Sequence, residues 1–133
     1  MFWRDEYSLG ILEIDNQHKV LMHSFSTIEK AIGSGQALST VDSDVADLKD
    51  SMRFSFQCEE ALMRLFGYPE IRLHTAEHTH FFRVFSEMES NSIRTPNEQE
   101  LVKFLRVWLT RHIVGSDRGF AQHILTGAAV TRS

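Results

Sequence analysis

Apolar residues recur at steps of three and four along separate stretches of this chain, the period of an amphipathic helix. Leu21, Phe25, Ile28 and Ile32 form the first stripe. Leu48, Met52, Phe56, Met63 and Phe66 form the second, and Leu101, Leu105, Trp108 and Leu109 the last. No segment alternates strictly or is enriched in β-branched residues, so nothing argues for a sheet. Each helix must bury its stripe against others. Helices joined by short links do this most simply as an antiparallel up-down-up-down four-helix bundle, an all-α fold class.

Two prolines and seven glycines fall where these helices would begin or end. Residues 1–14 read as an irregular N-terminal arm carrying Trp3 and Tyr7. Asp15 is expected to cap a first helix running to about Ile32, stopped by Gly33-Ser34-Gly35. The second helix is expected from Ser39–Asp42 to Phe66, where Gly67 supplies the stop and Tyr68-Pro69 a turn. The third follows Pro69 and reaches about Ser90. The fourth has the clearest start, because Thr95-Pro96-Asn97-Glu98 combines a capping Thr, Pro at the first helical position and Glu at the third. Residues 126–133 read as a frayed tail, and the 133 residues as one domain.

The net charge of −4 and the single scattering of Lys and Arg argue against a nucleic-acid or anionic-membrane surface. No apolar run approaches the roughly 18 residues that span a bilayer, and the first ten residues do not read as a signal peptide. One cysteine, Cys58, excludes an internal disulfide and a zinc ribbon and fits a reducing compartment, so a cytoplasmic location is expected.

Ionisable residues sit where the stripes should continue. His18 has Leu21 and Met22 one turn later on its face, and Glu59 lies between Phe56 and Met63. His74 and His78 are four apart, about 40° apart on a helix, so both imidazoles can reach one ion. His112 prolongs the last stripe, and Asp117 follows five residues later. At about 100° per residue a straight helix cannot aim both inward, and a break near Gly115 is expected to solve this. His23, His80 and His123 fall well off these faces and read as surface residues. Any one of these features is also what a hydrogen-bonded core residue looks like. Together they place unpaired ionisable groups in a core, which is costly unless a multivalent cation balances them. Imidazoles and carboxylates without thiolate suit iron better than a closed zinc site, and carboxylates from facing helices can bridge two ions.

These motifs together resemble the hemerythrin family, in its single-domain bacterial form. The likeness runs from Trp3 to about Asp117. It includes Trp3, Tyr7, Gly10-Ile11, Ile14-Asp15-Asn16-Gln17-His18-Lys19, Phe56-Gln57-Cys58-Glu59-Glu60-Ala61-Leu62-Met63 with Tyr68-Pro69, His74-Thr75-Ala76-Glu77-His78, and His112-Ile113 with Asp117. The resemblance implies a non-haem centre of two irons with a bridging oxo or hydroxo group. His74, His78 and His112 would hold one iron, His18 the other, and Glu59 and Asp117 would bridge them. It also implies a further histidine four residues before Glu59, where this chain has Ser55. Three outcomes stay open: a water beside Ser55 completes a di-iron site, a single iron sits at His74, His78 and His112, or the fold is retained for interaction alone.

The activity implied is binding of dioxygen, or of another small diatomic or anionic ligand, for storage, delivery or sensing. Leu21, Met22, Phe56, Met63, Trp108 and Leu109 would line an oxygen pocket and keep water out. Alternatives are an iron-dependent oxidase, peroxidase or nitric-oxide-reactive protein using the extra open position, and an oxygen- or redox-responsive interaction module. No catalytic residue beyond the ligands is apparent, and the sequence identifies no partner protein.

Overall fold

The computed structural model describes residues 2–94 and 97–131. They form α1 (Leu12–Gly33), α2 (Asp42–Leu65), α3 (Ile71–Arg94), α4 (Glu98–Arg111) and α5 (Arg118–Thr131). A π-helical turn, His112–Asp117, joins α4 to α5, and 3-10 turns occupy Asp5–Tyr7 and Leu38–Val41. There is no strand among the described residues. Backbone dihedrals stay helical at both junctions of the π turn, so residues 98–131 act as the fourth rod of the bundle. The rods close a ring in which α1 packs on α2 and α4, and α3 on α2 and α4. This is the four-helix bundle that the periodicity implies.

Two of the expected helix ends have a clear chemical cause. At the end of α2, Gly67 takes φ +62°, letting the Tyr68 N–H bond the Met63 carbonyl at 2.9 Å and the Gly67 N–H point back to Arg64. Gly35 does the same for α1 with φ +88°, its N–H reaching Ile32 and that of Gln36 reaching Ala31. Both satisfy the carbonyls a helix end leaves bare, in a conformation that costs glycine little. Phe66, expected on the buried stripe, lies where α2 unwinds and is 40% exposed.

The start of α1 differs from expectation. The helix begins at Leu12, with Ile11 at the cap and no side-chain cap bond. Asp15 does not cap it. Its carboxylate is buried and faces backwards, accepting the Leu9 N–H at 2.8 Å and the Ser8 hydroxyl at 2.6 Å. A satisfied buried carboxylate thus anchors the arm, and the helix gains the extra turn. The expected capping Thr95 and Pro96 lie outside the described residues. α4 starts at Glu98 behind Asn97, again without a side-chain cap bond. α3 extends past Ser90 to Arg94, and helical backbone continues through the expected tail to Thr131.

Among the described residues the core divides into three apolar groups. The largest joins Phe25, Ile28, Leu48, Met52, Phe81, Phe85, Leu101 and Leu105 with Leu21, Phe56 and Leu109, and Trp108 packs against it half-buried. A second gathers Leu9, Ile14, Met63, Phe120 and Ala121, so α5 seats the arm. A third, smaller group holds Tyr7, Met22 and Ile113. Ion pairs Arg106–Glu29 and Lys49–Glu89 tie α4 to α1 and α2 to α3 at the rim. Pairs with such solvent access contribute about 0–1 kcal/mol, so burial of the apolar groups dominates stability.

Candidate metal centre

The spacing problem at His112 and Asp117 is solved by helix geometry rather than by a break. A π turn closes i to i+5 bonds, so residues five apart stack as residues four apart do in an α-helix. His112 opens the π turn and Asp117 closes it, and both are buried. The glycine expected to break the helix, Gly115, sits inside the turn with ordinary helical handedness.

The other side chains come from the remaining rods. α1 supplies His18, α2 supplies Glu59 and Ser55, and α3 supplies His74 and His78, each 3% exposed or less. Glu59, His74, His78, His112 and Asp117 each offer one donor atom, and these five atoms all lie within 4.8 Å of one another. Asp117 Oδ1 lies 2.9 Å from His74 Nε2 and 3.0 Å from His112 Nε2, while its Oδ2 lies 3.0 Å from His18 Nε2. Glu59 Oε1 stands 3.7 to 4.0 Å from the Nε2 atoms of His74, His78 and His112. His78 Nε2 and His112 Nε2 meet at 3.0 Å.

The last of these is a hydrogen bond between the two rings, whereas the approaches to Asp117 are close without hydrogen-bond alignment and those to Glu59 are too long. Both oxygens of Glu59, both of Asp117, His74 Nε2, His18 Nδ1 and Ser55 Oγ are buried with no hydrogen-bond partner. Buried polar atoms are otherwise almost always bonded, and leaving one bare costs about 1–3 kcal/mol. Metal held among these side chains would satisfy the four carboxylate oxygens and His74 Nε2 at once, so the donor set fits a metal. Three imidazoles and two carboxylates without sulfur fit iron.

The metal-free electrostatics agree. Burial, reinforced by the neighbouring Asp117 charge, pushes the Glu59 carboxyl well above its ordinary range. Burial also opposes charge on Asp117, yet its contacts with His112, His18 and His74 prevail and hold it well below the usual carboxylate range. On His112, burial is outweighed by Asp117 and Glu77, and the imidazole is raised to about 9. His78 goes the other way, lowered to about 3 by burial and then by His112 and His74.

An outer layer, absent from the sequence expectations, orients two of the rings. Glu60 Oε2 lies 3.3 Å from His78 Nδ1, and Glu77 Oε2 lies 3.2 Å from His112 Nδ1 while accepting the Ser116 hydroxyl at 2.6 Å. Carboxylates so placed fix which ring nitrogen faces inward. Phe56 stacks on His78 with centroids 3.7 Å apart, and Trp108 on His112 at 4.3 Å. Of the six residues expected to line an oxygen pocket, Leu21, Met22, Phe56, Met63 and Leu109 are buried and Trp108 is half-buried. They are spread over all three apolar groups. His23 and His80 are exposed as expected, whereas His123 is half-buried, its Nε2 3.1 Å from the Phe66 carbonyl and its ring against Tyr68.

Histidines and carboxylates converging from all four rods of a helical bundle define a non-haem cation-binding protein. The family profile described as Hemerythrin HHE cation binding domain matches residues 9–124. The chain belongs to the hemerythrin family, whose members bind iron. It is 27% identical over 124 residues to a bacteriohemerythrin of Clostridium acetobutylicum, covering 89% of this chain and 96% of the relative. It is 30% identical over 125 residues to a bacteriohemerythrin of Pseudomonas paraeruginosa, covering 93% and 81%. A hemerythrin-like protein of Naegleria gruberi is 25% identical over 115 residues, 86% of each chain. Among the described residues no helix is long and apolar enough to cross a membrane.

Proposed function

We propose that this chain is a non-haem iron protein that binds dioxygen for storage, delivery or sensing, at a centre altered by Ser55. The observation that carries this reading is the buried meeting of His74, His78, His112, Glu59 and Asp117, with carboxylate oxygens that no protein donor satisfies. His74, His78 and His112 would hold one iron, His18 would serve a second, and Glu59 and Asp117 would bridge. Iron, when bound, supplies the open coordination position and the electrons that reversible dioxygen binding requires. The residues around it do the rest. Glu60 and Glu77 hold the His78 and His112 rings in orientation. Leu21, Met22, Phe56, Met63, Trp108 and Leu109 keep water and protons away, which favours release of the ligand unchanged. The unpaired Cys58 fits a reducing compartment, the cytoplasm.

Anaerobic ferrous reconstitution followed by air tests the reading. A visible absorption band that appears with air and reverses on deoxygenation is expected, and immediate irreversible oxidation refutes carriage. One observation favours a second reading. Ser55 offers a neutral hydroxyl on the ligand face of α2, and an open coordination position there would admit peroxide or nitric oxide. Turnover of either, lost in His112→Ala, would identify an enzyme instead.

A further inference from the structure

The two carboxylates at the centre of the cluster divide their oxygens unequally. Asp117 Oδ1 faces His74 and His112, whereas Oδ2 faces His18. Glu59 Oε1 lies on the side of His74, His78 and His112, and Oε2 has no protein partner. When a carboxylate bridges two cations, each ion receives one oxygen. Counted that way, one position has three imidazole nitrogens and two carboxylate oxygens, the five mutually close donors. The other has His18 Nε2 with the second oxygens of Asp117 and Glu59, a set outside that close group of five. Ser55, one turn before Glu59 on α2, is buried with a bare Oγ, but a neutral hydroxyl that keeps its proton adds little to a cation.

Charge works in the same direction. One divalent ion balances the charges of Glu59 and Asp117, the two carboxylates of the close group of donors. Glu60 and Glu77 sit at the solvent edge beside His78 and His112, on the five-donor side. A second divalent ion beside His18 therefore finds no further carboxylate of the cluster to balance it, and the buried Asp15 one turn earlier on α1 is committed to the Leu9 N–H and the Ser8 hydroxyl, so the added charge is costly.

We propose that the two positions differ in kind. The five-donor position is permanent, and the position between His18 and Ser55 is a weak, exchangeable divalent-cation site whose shell is completed by water. This rests on the reading that the cluster holds iron, and the two can fail separately.

The test is anaerobic ferrous titration of the full chain against a chromogenic chelator. The inference expects one tight ion and a second held at least about 100-fold more weakly, because even loss of an outer-layer partner costs about 10–100-fold. Ser55→His should tighten the second ion by a similar factor and leave the first unchanged. His18→Ala should abolish the second and spare the first, which keeps the test open should Ser55→His fail to fold. Two ions of equal affinity in the natural chain, or loss of the tight ion in His18→Ala, overturn the inference while the iron reading stands. Absence of any tight ion overturns the iron reading itself.

Discussion

Glu59→Met separates the stability of the bundle from the binding of its cation. The carboxyl is 1% exposed, neither oxygen has a hydrogen-bond partner, and burial strongly disfavours its charge. Methionine has similar length, no polar atom to desolvate, and would join Phe56 and Met63 on the same face of α2. Removing an unsatisfied buried polar group of this kind stabilises by about 1–3 kcal/mol. For a domain of this size that raises the melting temperature by about 4 °C per kcal/mol, so by about 4–12 °C. The cation acts in the opposite sense. At a ligand concentration of about 100 Kd the natural chain gains about 2.7 kcal/mol on binding, and the variant should gain far less. Thermal unfolding followed by circular dichroism, once with chelator and once with anaerobic ferrous ion, reads both effects. The expected result is a variant that melts higher than the natural chain without metal and shows little further rise with it. A variant that melts lower in chelator would mean that Glu59 is satisfied within the protein, and the argument from bare oxygens would fall.

Other perturbations probe other parts of the fold. Phe85→Ala empties the centre of the largest apolar group, where the ring is fully buried against Phe81, and should cost about 3–5 kcal/mol in urea unfolding. A loss below 1 kcal/mol would contradict this packing. Asp15→Ala strips the acceptor from the Leu9 N–H and should cost about 1–3 kcal/mol. It should also expose the arm to proteolysis before the helices, and an unchanged digestion pattern would argue against the anchor. In chelated protein, His112 holds its proton up to about 9 against an ordinary 6.5, so its contribution is complete below 6.5 and fades as the pH rises towards 9. Chemical denaturation across that interval should show falling stability, while affinity for a cation, which must displace the proton, should rise. Stability that is flat or rising with pH would reject the assignment.

Much of the arrangement was legible because it is a matter of phase. The stripes through Phe25, Met52 and Leu105 specify rods, and the ionisable residues breaking those stripes specify where the rods meet. What escaped reading depends on details that residue types do not announce. Asp15 looks like a helix cap, yet tertiary placement of Ser8 and Leu9 gives its carboxylate better partners and frees the helix to start earlier. Glu60 and Glu77 carry no mark separating them from solvent-facing glutamates, since only the third dimension brings them to His78 and His112. The mismatch between His112 and Asp117 was visible, but a glycine nearby suggested a break where the backbone stays helical and widens.

That widened turn has a consequence for how the chain tolerates insertions and deletions. A straight α-helix keeps its inward side constant, whereas here the side facing the core slips by one residue, roughly 100°, between α4 and α5. Leu101, Leu105 and Leu109 belong to one phase, and Asp117, Phe120 and Ala121 to the next. Deleting a single residue within 113–116 would leave His112 and Asp117 four apart, so the turn would close as ordinary α-helix and α5 would keep its inward side. Inserting a residue there would instead carry Asp117 away from its three histidines and Phe120 from the seat it makes for the arm, in the same motion. Point substitutions can tune the cation or the arm independently, but an added residue in this segment reaches both.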